Sequence, residues 1–156
     1  YYSGLPSPPH LINTESFRAD SNGVTRICHQ YRFIVCYRRL SKEVTFIELN
    51  PKAASCIRES LLSLEASNAQ VWQSDALVWL SQQDSLEQFD VIFLDPPFGK
   101  DLLSPAVEAM AEKIKSGCLV YVEVEAQADL SCIPANWLET KRKDSKEFSF
   151  MLFEVE

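Results

Sequence analysis

Between Val44 and Val124, short strand-like runs alternate with stretches long enough to be helices, and that alternation confines the chain to a narrow set of folds. Val44–Glu48 (VTFIE) is a continuous apolar run closed by an acid, the pattern of a buried strand. Asn50 and Pro51 mark a helix start, and the spacing predicts a helix over Pro51–Ala66. Ala69–Gln73 alternates like a short strand and Ala76–Gln82 suits a short helix. Asp90–Leu94 (DVIFL) is a strand stopped by Pro96 and Pro97. A helix over Leu102–Lys115 follows, with Gly117 as its stop, and then an apolar strand at Cys118–Val124. The end breaks the rhythm. Trp137–Arg142 and Glu147–Val155 flank a polar turn at Lys143–Lys146, as in an antiparallel hairpin closing a sheet edge.

Strands alternating with helices imply parallel β-α-β units, so the expected class is α/β: a doubly wound, mostly parallel sheet with a C-terminal antiparallel hairpin. With 156 residues, 46% of them hydrophobic, one domain with one core is expected. The organised part is taken as residues 44–156. Residues 1–43 form a truncated or irregular lead containing Pro6, Pro8 and Pro9, in which only Tyr31–Tyr37 (YRFIVCY) reads as a strand. Lacking the apolar pattern of a first strand and helix, residues 1–40 are expected to exchange amide hydrogens quickly.

Composition excludes several functions. The net charge of −7 argues against a protein that coats nucleic acid non-specifically, since such affinity comes from lysine and arginine. Residues 1–43 carry six Lys/Arg against three Asp/Glu (+3), and residues 44–156 nine against nineteen (−10). A polyanion would therefore meet the N-terminal end or a patch such as Lys141, Arg142, Lys143 and Lys146, although a solvated surface is the favoured reading of both clusters. No run suits a membrane span or a signal peptide, so a soluble, unexported chain is expected. The five cysteines (Cys28, Cys36, Cys56, Cys118 and Cys132) lack C-x-x-C spacing and are odd in number, which fits a reducing cytoplasm. His10 and His29 have no partner spacing, and no metal site is expected. Glu123 and Glu125, on one strand face, read as sheet chemistry rather than as a catalytic pair.

In a doubly wound sheet, ligands bind beyond the carboxyl ends of the strands, where Glu48, Ser74–Asp75 and Asp95–Phe98 would converge. Asp95-Pro96-Pro97-Phe98 is the sharpest signal. An exocyclic base amine is a poor nucleophile because its lone pair is delocalised into the ring. A site for it must accept hydrogen bonds from its N–H groups as the nitrogen pyramidalises. The Asp95 carboxylate and the Pro96 carbonyl can do so, two prolines fix the backbone, and Phe98 offers a ring for stacking an extruded base. The structural alternative is a strand-ending turn with a buried aromatic. Glu48 can accept from two ribose hydroxyls, and Asp75 from an adenine amino group, although an aspartate before a helix is more often its N-cap.

The D-P-P-F signature resembles that of the S-adenosylmethionine (SAM) dependent amino-methyltransferases. The lines VTFIELN (Val44–Asn50), NAQVWQSDA (Asn68–Ala76), FDVIFLDPPF (Phe89–Phe98), LVYVEVE (Leu119–Glu125) and PANW (Pro134–Trp137) narrow the resemblance. They are similar to the bacterial family that methylates the N2 amine of a guanine in small-subunit (16S) ribosomal RNA. That resemblance implies a Rossmann-like class I methyltransferase fold and SAM as cofactor. It implies cofactor binding by Glu48, Leu49, Asp75, Ala76 and Asp95, with catalysis and base holding by Asp95, Pro96, Pro97 and Phe98. It also implies a cytoplasmic enzyme, expected to be a monomer, acting on ribosomal RNA or a small-subunit assembly particle. Two other functions stand beside this one. The first is an inactive or truncated relic that keeps the fold while binding SAM poorly. The second, a DNA amine methyltransferase, is disfavoured because no separate base-reading domain is expected in 156 residues.

One departure bears on activity. The family carries a glycine-rich F-x-G-x-G loop about twenty residues before the acidic residue, where only glycine lets backbone pass close to the cofactor. Residues 24–98 contain no glycine, and RICHQ (Arg26–Gln30) stands where the loop should fall. A segment has been lost or replaced.

Overall fold

The computed structural model describes residues 34–38, 43–63 and 66–156. Seven strands form one sheet: β1 (Ile34–Arg38), β2 (Glu43–Ile47), β3 (Ala69–Trp72), β4 (Val91–Leu94), β5 (Leu119–Glu125), β6 (Trp137–Asp144) and β7 (Phe148–Val155). Among the described residues three helices join them: α1 (Pro51–Ser63), α2 (Ala76–Ser81) and α3 (Leu103–Met110). The order across the sheet is β3-β2-β1-β4-β5-β7-β6. Parallel pairing of β2 with β3 and of β4 with β5, together with the antiparallel pairs, gives five strands (β2 to β6) one direction. Strands β1 and β7 oppose them.

Local chemistry explains where the helices begin. Asn50 Oδ1 accepts the N–H groups of Lys52 and Ala53 at 2.9 and 3.2 Å, and Pro51 opens α1 where no N–H is needed. Asp75 caps α2, its Oδ1 accepting from Leu77 and Val78 at 2.8 and 3.1 Å. Helix α3 is shorter than the sequence suggests. The Lys113 carbonyl turns aside to accept from Leu86 N–H at 2.8 Å, and the chain passes through turns to Gly117 at φ +79°. That left-handed backbone suits glycine, so Gly117 shapes the entry to β5 rather than capping a helix directly.

The two faces are covered separately, as in a doubly wound sheet. Helix α1 packs Ile57 and Leu61 against Val44, Phe46, Val71 and Phe93. On the other face, α2 and α3 cover Ile47, Ile92, Leu94, Val120 and Val122. Leu80 and Met110 in this second layer are fully buried. Each such side chain contributes about 1.5–3 kcal/mol by leaving water. At the far edge β6 exposes every residue after Trp137, and its charges, including Lys141, Arg142 and Lys143, discourage pairing with another sheet.

The first strand departs most from expectation. Ile34 pairs antiparallel with both Ile47 and Leu94, so β1 lies in the middle of the sheet and runs against its neighbours. Arg38 lies opposite Glu43, which makes β1 and β2 a hairpin with residues 39–42 between them. The backbone of Ile34–Arg38 is laddered on both sides, which predicts slow amide exchange there, against the fast exchange expected of residues 1–40. A short apolar run beside a second one can close a hairpin, and that local pairing places the strand without a helix between them. The remainder of the expected irregular lead lies outside the described residues.

Candidate active site

Strands β2, β3, β4 and β5 all end at one edge of the sheet, and the residues singled out from sequence lie there. Glu48 follows β2 and is only 2% exposed. Its Oε1 accepts the Asn50 N–H at 2.6 Å, which ties the carboxylate to the start of α1. The Glu48 N–H donates to the Trp72 carbonyl at 3.0 Å, and the Ser74 N–H donates back to the Glu48 carbonyl at 3.2 Å. The turns after β2 and β3 are therefore held side by side. Leu49, 63% exposed, presents an apolar side chain at this edge. Asp75 performs the capping role described above, with both bonds made by Oδ1, and Ala76 is buried beneath it.

Asp95 and Pro96 continue β4 at a half-buried and a buried position, while Pro97 and Phe98 are exposed. Phe98, at 49% exposure, leaves much of its ring open. Strand β1 separates β2 from β4, so Glu48 and Asp95 stand two strand spacings apart, about 10 Å at ~4.8 Å each. The backbone between them is the N-terminal end of β1, because that strand is reversed.

A cleft of about 250 Å³ opens beside the D-P-P-F turn, lined by Pro96, Pro97, Phe98, Glu125, Ser131 and Cys132 among others. It is smaller than the ~300–1,000 Å³ typical of pockets for drug-sized ligands. Glu125 ends β5 and its Oε1 accepts the Gly99 N–H at 3.3 Å. Gly99 has φ +71°, the conformation that folds the turn back towards β5. Glu123 and Glu125 part company here. Glu123 is buried and accepts from the Tyr121 hydroxyl at 3.4 Å, whereas Glu125 is exposed at the cleft. On sequence Glu125 reads with Glu123 as sheet chemistry, although the signal that marks Glu48, an acid closing a parallel strand at the ligand edge, applies to it equally.

Two further groups line the cleft with shifted protonation. Hydrogen bonds from the Ser131 N–H and hydroxyl, at 2.8 and 2.9 Å, hold Asp129 below its ordinary carboxylate value. Burial pushes the Cys132 thiol upwards, so it is a poor nucleophile. Among the described residues, no three His, Cys, Asp or Glu side chains are grouped so as to hold a metal, and no helix is long and apolar enough to cross a membrane.

A mixed sheet of this order, with an acid after β2, a capped helix after β3 and D-P-P-F after β4, defines the Rossmann-like fold of class I methyltransferases. Solved structures agree on that fold. A candidate methylase of Haemophilus influenzae is 35% identical, with a TM-score of 0.66 and 73% of each chain covered. A candidate methyltransferase of Escherichia coli is 28% identical, with a TM-score of 0.64, covering 72% of this chain and 62% of the other. The chain belongs to the family described as conserved hypothetical protein 95, whose model matches residues 34–154. Curated relatives carry the name ribosomal RNA small subunit methyltransferase D. The Haemophilus influenzae protein is 35% identical over 120 residues, or 74% of this chain and 62% of its own. The one from Escherichia coli strain K12 is 28% identical over 120 residues, or 76% and 60%. This chain thus spans about three-fifths of the length of those relatives.

Proposed function

We propose that this chain is a SAM-dependent methyltransferase acting on the exocyclic N2 amine of a guanine in small-subunit ribosomal RNA. The observation that carries the reading is the placing of Glu48, Asp75 and the Asp95–Phe98 turn along one sheet edge, in the order that cofactor binding and amine transfer require. Similarity to relatives named for ribosomal RNA methylation supports the choice of substrate. A free RNA or a small-subunit assembly particle in the cytoplasm is the proposed partner, met by a monomer.

The residues present fit the adenosine half of the cofactor. Glu48 would accept from the ribose hydroxyls, Leu49 and Ala76 would flank the adenine, and Asp75 would use Oδ2 for the adenine amino group, since Oδ1 is committed to the helix cap. When bound, the cofactor supplies a methyl group on a positively charged sulfur. The protein's task is then to hold the amine. Asp95 and the Pro96 carbonyl would accept its two N–H bonds, which localises the nitrogen lone pair as the nitrogen pyramidalises. Phe98 would stack on the base and keep it in the cleft.

A second reading is favoured by one observation. Strand β1 is reversed and residues 24–98 lack glycine, so among the described residues no glycine turn follows a parallel strand between Glu48 and Asp95 at this edge. A relic that keeps the fold and binds cofactor weakly would look the same. Incubation with methyl-labelled SAM and small-subunit particles from cells lacking the modification, followed by nucleoside analysis, separates the two. N2-methylguanosine above the level of an Asp95→Ala control supports the enzyme; its absence supports the relic.

A further inference from the structure

We infer that Glu125 selects the base, accepting the N1–H of guanine while the neighbouring N2 amine lies at Asp95. The inference rests on the guanine reading above and adds a specificity-determining residue to it. Strands β4 and β5 are parallel with Leu94 opposite Val122, so Asp95 is level with Glu123 and Glu125 stands two residues further out, beside Pro97. The Glu125 carboxylate is thus one strand across from the motif and at the mouth of the same cleft.

Its bonding leaves one oxygen for a ligand. Oε1 is engaged by the Gly99 N–H at 3.3 Å, which fixes the side chain against the D-P-P-F turn. Oε2 is then the acceptor offered to the cleft. Asp129, another exposed acid at the cleft, already accepts from Ser131 at both of its oxygens. None of the described residues lining the cleft is a lysine or arginine, so the cleft suits a base edge rather than a phosphate.

The chemistry of the edge chooses guanine. Next to its amine, guanine presents a second donor, N1–H, and a carboxylate pairs with donors only. Adenine presents an acceptor, N1, beside its amine, and would set a lone pair against the Glu125 oxygen. An acceptor facing an acceptor makes no hydrogen bond and repels, which is how sites built around one polar edge reject analogues.

2-Aminopurine provides the test, because it keeps the N2 amine and replaces N1–H with an acceptor; it also lacks O6, so the comparison of parent with Glu125→Gln isolates the N1 contact. Affinities are measured by fluorescence anisotropy for two short uridine-rich ribo-oligonucleotides, one with a single guanine and one with 2-aminopurine in its place. The parent chain should prefer guanine by about tenfold or more. Glu125→Gln keeps an oxygen for Gly99 while presenting an N–H₂, so its preference should fall to about one or invert. The same guanine preference in Glu125→Gln as in the parent would overturn the inference. So would a preference abolished by Asp101→Asn, another acid at the cleft, and not by Glu125→Gln. Because these are binding ratios, they are independent of turnover. Failure to find N2-methylguanosine in the particle assay overturns the proposed activity, whereas the ratio alone decides Glu125.

Discussion

Ile34 lies across from Leu94 on an antiparallel ladder, at the level where β4 gives way to Asp95. The central strand therefore begins at the ligand edge instead of ending there. Class I methyltransferases use the loop after a parallel first strand to bring backbone N–H groups to the amino-acid half of the cofactor. In this chain β1 ends at the opposite edge, where Arg38 lies across from Glu43. The backbone between Glu48 and Asp95 is therefore the start of β1 rather than a turn that ends a parallel strand.

Glu48→Ala should weaken binding of an adenosine cofactor about ten- to a hundredfold. Truncation removes the two charge-assisted hydrogen bonds proposed to the ribose, worth roughly 1.5–3 kcal/mol. Because Glu48 Oε1 also holds the Asn50 N–H, Glu48→Gln serves as the companion variant that keeps that bond. Titration calorimetry gives the answer. Unchanged affinity in both variants would place the ribose elsewhere.

Asp95→Ala should abolish methyl transfer while leaving the thermal midpoint and cofactor affinity close to those of the parent. The carboxylate is half-buried after the end of β4, and its proposed role is at the transition state rather than in ground-state binding. Equal turnover by variant and parent would remove the motif from the mechanism.

Cys118 gives a pH signature of folding. Its thiol is fully buried, and desolvation is the largest cause lifting its pKa from 9.0 to about 12. The folded chain keeps a proton that the unfolded chain releases, so this stability is present below pH 9 and is lost as pH rises towards 12. Urea midpoints of the parent should therefore fall more steeply from pH 8 to about 10.5 than those of Cys118→Ala. Parallel slopes would mean that the thiol ionises in place.

Hydrogen exchange tests the reversed strand. Amides of Ile34–Arg38 that are laddered to β2 and β4 should exchange as slowly as those of β5. Exchange in the range of an open loop would exclude the central placing of β1.

Much of this architecture was legible in the sequence, and the reasons are specific. VTFIE and DVIFL have the length and apolar continuity of strands buried on both faces, and they lie in β2 and β4. Asn50-Pro51 and Asp75 announced helix starts through capping chemistry that depends only on neighbouring residues. Features fixed by distant contacts were not legible. The Lys113 carbonyl is drawn to Leu86, which shortens α3, and no local signal foretells that bond. YRFIVCY could be read as strand, but its direction depends on pairing with Ile47 and Leu94, and an apolar run has no inherent polarity. Glu125 needed the same edge argument as Glu48 together with Gly99 folding back to it.

The central claim is that the cofactor pocket holds the adenosine half through Glu48 and Asp75 and has lost the glycine-turn anchor for the amino-acid half. S-adenosylhomocysteine and 5′-methylthioadenosine share that adenosine half, and only the first carries the amino-acid group. Calorimetric titration of the parent chain with each should give affinities within about tenfold of one another, a difference of ~1.4 kcal/mol or less. An advantage well beyond tenfold for S-adenosylhomocysteine would contradict the claim and show that the glycine-free backbone grips the amino-acid group.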